Sequence, residues 1–287
     1  MYSLFLAAAL SLGAVNAFTA PFLARGVPSG RLARATGRTM TCMDAGTLAV
    51  FGATGLTGSE VVFQALERGC KVSALCRDPS KLKVPKGSGG EKADTPLESP
   101  NLHAVQGTVT SLEDVKKVFE GQDVTGVVIA LGGKTADVGK TMLTDGTTNI
   151  IQAMKENGVK KVACMTSIGA GDSEKQAPFF FKVLMYTAMK SIFEDKNRQE
   201  KLFLSGPGKD LEYTIVRPGG LTVDPPTGEI NVIKGEAGSI SRADVADFLL
   251  GAVLEEEWQY TQQAPCISSV GGTSWVKDRS KAARGEM

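Results

Sequence analysis

The 287-residue sequence predicts an α/β fold, a single doubly wound domain with a mostly parallel sheet. Two observations carry this. Short apolar, β-prone runs alternate with helix-patterned stretches between residues 44 and 270, without internal repeats. The first run, Thr47–Phe51, ends in a glycine-rich turn, Gly52-Ala-Thr-Gly-Leu-Thr-Gly58, that passes straight into a helical pattern.

The other elements follow in chain order. Residues 59–68 read as a helix closed by Gly69, and Lys71–Cys76 as a second strand. Residues 81–100, rich in Lys, Gly, Pro, Ser and Glu without a period, read as a mobile surface loop. Leu102–Gln106 is a third strand, Ser111 caps a short helix to Phe119, and residues 126–131 form a buried fourth strand followed by Gly132-Gly133. A helix over 146–157, a strand over 161–167, a long helix over 181–204 and a strand over 213–217 come next. A Pro/Gly-rich loop, a strand over 230–233, the Ser241-capped helix Arg242–Leu254 and a strand over 265–270 complete the domain; residues 271–287 are a polar tail.

Residues 1–43 stand apart. The apolar run 4–12 ends in the small-residue site Val15-Asn16-Ala17 and is too short to span a bilayer, so 1–17 reads as a signal peptide. Residues 18–43 hold Arg25, Arg31, Arg34 and Arg38 with no acidic residue, which is transit-peptide composition.

A net charge of +1 gives no electrostatic case for nucleic acid, and 42% hydrophobic with 22% charged residues is ordinary globular composition. The five cysteines form no C-x-x-C pair and read as reduced core residues. With His103 the sole histidine, no metal site is expected.

The glycine spacing meets the demands of a dinucleotide site. Gly52 suits the tight strand-to-helix turn, Gly55 lets backbone approach a pyrophosphate, and Gly58 lets the helix pack on the sheet. Thr54, Leu56 and Thr57 complete that cradle, at a helix start whose N–H groups and dipole favour phosphate. Ligands of such sheets lie beyond the carboxyl ends of the strands, which adds Arg77, Leu131-Gly132-Gly133, Thr166-Ser167 and Pro218-Gly219. The second strand ends in Cys76-Arg77, without the carboxylate that would accept a ribose 2′-OH, while Asp78 before Pro79 suits a loop cap. NADP(H) is therefore expected over NAD(H), with Arg77 on the 2′-phosphate.

Taken together, Gly52-Ala-Thr-Gly-Leu-Thr-Gly58, Cys76-Arg-Asp-Pro-Ser-Lys81, Thr166-Ser-Ile-Gly169, Tyr213-Thr-Ile-Val-Arg-Pro-Gly-Gly220, Asp224-Pro-Pro-Thr-Gly228 and Ser239-Ile-Ser-Arg-Ala-Asp-Val-Ala246 resemble atypical short-chain dehydrogenase/reductases over residues 47–254. The likeness is to NmrA-type and plant plastid NAD(P)-binding proteins and, more distantly, to biliverdin-IXβ/flavin reductase. It implies a Rossmann domain that binds NADPH. The junction Asn16-Ala-Phe-Thr-Ala-Pro21 resembles the bipartite presequences of algae with red-lineage plastids, which implies import into the plastid stroma.

The superfamily's catalytic unit is a Tyr-x-x-x-Lys pair after a strand-end Ser. Tyr186 and Lys190 have that spacing, which on one continuous helix places a proton donor beside an ammonium. Relatives, however, carry a Lys-x-x-x-Glu pattern before the Thr-Ile-Val-Arg-Pro strand, and Lys196 to Glu200 matches it. In that register, which is preferred, Ile192 holds the tyrosine position, Lys196 holds the ribose, and the proton comes from Thr166, Ser167 or water. Phe179-Phe180-Phe181 either line an apolar pocket or begin a buried helix. Two functions stay open: a plastid NADPH-dependent oxidoreductase acting on a flavin-, quinone- or tetrapyrrole-like acceptor, and a non-catalytic NADPH-binding sensor or assembly factor with a plastid protein partner.

Overall fold

The computed structural model describes residues 46–133 and 139–269. In chain order they form β1 (Thr47–Phe51), α1 (Leu56–Glu67), β2 (Lys71–Cys76), β3 (Leu102–Gln106), α2 (Leu112–Lys117), β4 (Val124–Ile129), α3 (Met142–Glu156) and β5 (Lys161–Met165). Then come α4 (Phe179–Tyr186), α5 (Lys190–Leu204), β6 (Glu212–Pro218), β7 (Gly220–Thr222), β8 (Asn231–Val232), β9 (Ser239–Ser241), α6 (Arg242–Leu254) and β10 (Cys266–Ser268).

Eight strands form one sheet in the order β3-β2-β1-β4-β5-β6-β10-β8. All neighbours are parallel except β8 on β10. The alternation along β1 shows how it is covered on both faces. Leu48 and Val50 pack with Val61 and Val62 of α1 and Leu249 of α6, whereas Ala49 and Phe51 pack with Ile150 of α3 and Phe203 of α5. Every residue of β1 is buried, as a central parallel strand requires. The expected doubly wound sheet is thus the observed one.

Four local differences have physical causes. The helix expected over 181–204 is two helices, because Thr187 leaves helical geometry (φ −113°, ψ −95°) and its hydroxyl turns back to the Val183 carbonyl at 2.8 Å. α3 starts at Met142, earlier than expected, since the buried carboxylate of Asp195 accepts the N–H groups of Leu143 (2.9 Å) and Thr144 (3.2 Å) and caps the helix from afar. Residues 81–100 are built rather than loose. Lys83 and Pro96 form an antiparallel bridge, Leu82 and Val84 are buried, and Glu60 of α1 accepts the N–H groups of Gly87 (2.9 Å) and Ser88 (3.2 Å). β7 and β9, too short to show a period, pair in parallel as a separate small sheet.

Cys76, Cys164 and Cys266 are buried free thiols; Cys70 is disulfide-bonded, contrary to the expectation, and Cys42 lies outside the described residues. The segments 1–17, 18–43 and 271–287 lie outside them too. Among the described residues no helix is long and apolar enough to cross a membrane, and no cluster of His, Cys, Asp or Glu is arranged to hold a metal.

Candidate functional site

Leu75, Phe51, Ile129, Cys164 and Ile215 lie on one rung across β2, β1, β4, β5 and β6, so these five strands end along a common edge. Strand order reverses between β1 and β4, which opens a crevice beyond that edge. The glycine turn lies at its centre. Gly52 has φ +89°, and a Cβ there would lie 2.3 Å from the Ala130 carbonyl oxygen. A Cβ on Gly58 would lie 2.0 Å from the Gly52 oxygen, so only glycine lets α1 seat this closely on the turn. Gly55 is the N-cap of α1 and supplies no side-chain cap, and the first turn carries no acidic residue. Thr54, Gly55 and Leu56 are exposed there while Thr57 is buried. An uncapped, positively polarised helix start with close backbone access fits a pyrophosphate.

The neighbouring strand ends bring in the rest. Leu131 is buried behind the exposed Gly132 and Gly133, and Gly133 has φ 148°. Pro218 is buried, and Gly219 lies so close to Gly238 that a Cβ would meet its oxygen at 2.1 Å. At the end of β2 the Arg77 side chain is exposed, whereas Asp78 accepts from both the backbone N–H and the hydroxyl of Ser80. Those bonds hold the Asp78 carboxyl below its ordinary range, the Ser80 hydroxyl contributing most.

Thr166 and Ser167 follow β5. The Thr166 hydroxyl donates to Glu200 Oε1 at 2.7 Å, and its carbonyl accepts from Lys196 Nζ at 2.9 Å. Ser167 Oγ donates to the Ile168 carbonyl at 3.0 Å. Ile192 is buried among Ile168, Phe181, Met185 and Phe193, an apolar group in the position that the resemblance assigns to a tyrosine. Tyr186 ends α4, is 60% exposed, and donates to Glu174 Oε1 at 2.5 Å; that bond is the main reason its phenol is pushed above the ordinary range. The break at Thr187 puts Tyr186 and Lys190 on different helices, so their spacing no longer means one face, and Lys190 pairs with Glu194. Of the three phenylalanines, Phe181 is buried while Phe179 and Phe180 are 72% and 70% exposed.

Sequence reasoning named Glu200 only as the end of the Lys196 pattern and gave it no role; it is 1% exposed in the middle of this group and bonded to Arg217. Its signal was the four-residue step from Lys196, which on α5 puts both side chains on one face. Burial alone would pull the Arg217 guanidinium down; the bonds and charge of Glu200, then Asp172, outweigh it and raise it.

An NAD(P)H-binding family matches residues 52–256. An uncharacterized chloroplastic protein of Arabidopsis thaliana is 35% identical over 220 residues, covering 72% of this chain and 72% of that protein. Among solved structures, an oxidoreductase from Lactococcus lactis superposes with a TM-score of 0.62 at 19% identity, over 84% of this chain and 98% of its own. An anaerobilin reductase from Escherichia coli O157:H7 does so at 0.59 and 21%, over 79% and 98%. At those identities the likeness is one of fold. The family match extends over most of the domain and includes the glycine turn: the chain belongs to the NAD(P)H-binding family, a group of doubly wound proteins with oxidoreductases among its relatives.

Proposed function

We propose that the protein is a plastid NADPH-dependent reductase that delivers hydride to a conjugated acceptor of the flavin, quinone or tetrapyrrole kind. The observation that carries this reading is where the hydroxyl protons go. The Thr166 hydroxyl is committed to Glu200, Ser167 turns to the Ile168 carbonyl, the Ile192 side chain has no acidic proton, and Tyr186 bonds to Glu174 on the exposed side of α4. Reducing an isolated carbonyl calls for a positioned acid at the developing alkoxide. A conjugated acceptor spreads the incoming charge and can exchange its proton with water.

In this reading the turn at Gly52, Gly55 and Gly58 holds the pyrophosphate, with Thr54, Leu56 and Thr57 around it. Arg77 takes the 2′-phosphate, and Lys196, steadied on Thr166, holds the ribose. Leu131, Gly132, Gly133, Pro218 and Gly219 flank the nicotinamide, and Ser167 lies nearest the acceptor. The nicotinamide supplies the hydride when bound. The chain would comprise a signal peptide over 1–17, a transit segment over 18–43, the cofactor domain over 44–270 and a tail over 271–287. The plastid address is supported by the arginine-rich, acid-free presequence and by the chloroplastic Arabidopsis relative.

The buried Ile192 also favours a second reading, an NADPH sensor or assembly factor without turnover. NADPH oxidation by purified residues 44–287 against flavins, quinones and tetrapyrroles separates the two. Turnover with at least one acceptor is expected; tight NADPH binding with no turnover on any would replace the reductase by the sensor.

A further inference from the structure

Behind the Thr166 carbonyl lies a buried ion pair. The Glu200 side chain is 1% exposed and that of Arg217 4%. Arg217 Nε donates to Glu200 Oε1 at 3.0 Å and Nη2 to Oε2 at 2.6 Å. Taking both charges out of water is costly, and replacing such a pair by apolar side chains is often neutral or stabilising. Stability is therefore a weak reason for its presence, and its other contacts suggest a better one.

On one side the pair grips residue 166. Glu200 Oε1 also accepts the Thr166 hydroxyl, and Lys196, one helical turn earlier on α5, donates to the carbonyl of the same residue. On the other side the pair meets Gly171. A Cβ there would come within 2.5 Å of both Arg217 Nη2 and Glu200 Oε2, while the Gly171 N–H is held by Asn197 Oδ1 at 2.8 Å. Arg217 Nη1 goes on to Asp172 at 2.6 Å. The pair thus fixes the end of β5 and the segment that follows it, and α5, β5 and β6 meet at one carboxylate.

We infer that Glu200, held by Arg217, is a positioning residue of the cofactor site: it takes the Thr166 hydroxyl, thereby fixes the Thr166 carbonyl, and through that carbonyl orients the Lys196 ammonium toward the ribose. This rests on the reading of Lys196 as the ribose-holding residue. A hydroxyl has one proton to give, so Thr166 serves the site through its carbonyl and not as an acid.

The test measures the NADPH dissociation constant and the thermal midpoint of the purified full chain in four variants. Thr166→Val keeps the ion pair and the carbonyl and removes only the link to Glu200; a dissociation constant raised by about fivefold or more, with the midpoint little changed, is expected. Glu200→Leu with Arg217→Met replaces the pair by apolar groups; recovery of the midpoint relative to Glu200→Leu alone, with NADPH binding still weakened about tenfold, is expected. Lys196→Ala reports on the underlying reading. If Lys196→Ala weakens binding but the double variant regains wild-type affinity along with its midpoint, or Thr166→Val binds as wild type, the pair is structural and the inference fails. Wild-type affinity in Lys196→Ala would instead remove the reading on which it stands. Should the double variant not fold, Thr166→Val decides alone.

Discussion

Asp78 caps Ser80: its Oδ1 accepts the Ser80 N–H at 3.1 Å and hydroxyl at 2.6 Å, which occupies the one carboxylate at the end of β2 with its own turn. Arg77, exposed beside it, is then the strand-end side chain suited to a 2′-phosphate. Arg77→Ala should weaken NADPH roughly tenfold or more and leave NADH nearly unchanged. Titrating both cofactors into both proteins checks this, and equal losses would remove Arg77 from phosphate recognition.

Gly58 sets how closely α1 approaches the turn. In Gly58→Ala the new methyl would collide with the Gly52 carbonyl oxygen, which is backbone and already accepts the Gly55 N–H at 3.0 Å, so relief requires the helix to move. A loss of about 1–3 kcal/mol in chemical denaturation is expected, together with weaker NADPH binding. Gly132→Ala, where nothing lies within 4 Å of the added carbon, should leave stability unchanged.

Tyr186 stands on the outer face of α4 with its hydroxyl on Glu174. Tyr186→Phe should therefore keep any reductase rate within a few-fold of wild type, whereas Lys196→Ala should lower cofactor binding or turnover about tenfold. A positioned acid contributes roughly 100-fold or more, so a collapse in Tyr186→Phe would be plain and would return the tyrosine to the site.

The buried thiols predict an alkaline limit to stability. Burial, then the charge of Asp78, pushes Cys76 from 9.0 up to about 11; burial raises Cys164 further and also raises Cys266. Each folded-state value lies above the unfolded one, so the thiolate forms first in the unfolded chain. The contribution is intact below pH 9 and is lost as pH climbs toward the folded values, by up to about 1.4 kcal/mol per pH unit for each thiol. Denaturation at pH 7.5 and at pH 9.5 should show the drop, and Cys164→Ala should remove part of it.

Reading residues 1–43 as two successive addresses predicts that a fluorescent fusion of that segment enters a plastid, and that Phe18→Ala diverts it. Secretion or cytosolic retention of the unaltered fusion would dissolve the bipartite reading.

What the sequence revealed is what local chemistry determines. Thr47–Phe51 and Lys71–Cys76 were readable because interior parallel strands are near-continuous apolar runs, and α6 because Ser241 caps it by accepting the Asp244 N–H. The needs of Gly52 and Gly58 are backbone needs and show as spacing. The features that escaped depend on distant partners. α3 begins where it does because of Asp195, and the fate of the Thr166 hydroxyl depends on Glu200, 34 positions along the chain. The helix break at Thr187 falls in a stretch, residues 179–204, that holds neither Gly nor Pro to signal it.

The placing of β10 between β6 and β8 has a consequence for the order in which the molecule can assemble. A chain delivered from its N-terminal end can stack β1 through β6 as each arrives, but β8 has no neighbour in the sheet until Cys266–Ser268 appears, and Arg217 of β6 lacks its cross-strand partner Cys266 until then. The strand carrying the guanidinium behind the cofactor site is thus paired on its outer edge last. A chain delivered stepwise would therefore keep the outer edge of β6 open until nearly all of the sheet's other strands had arrived.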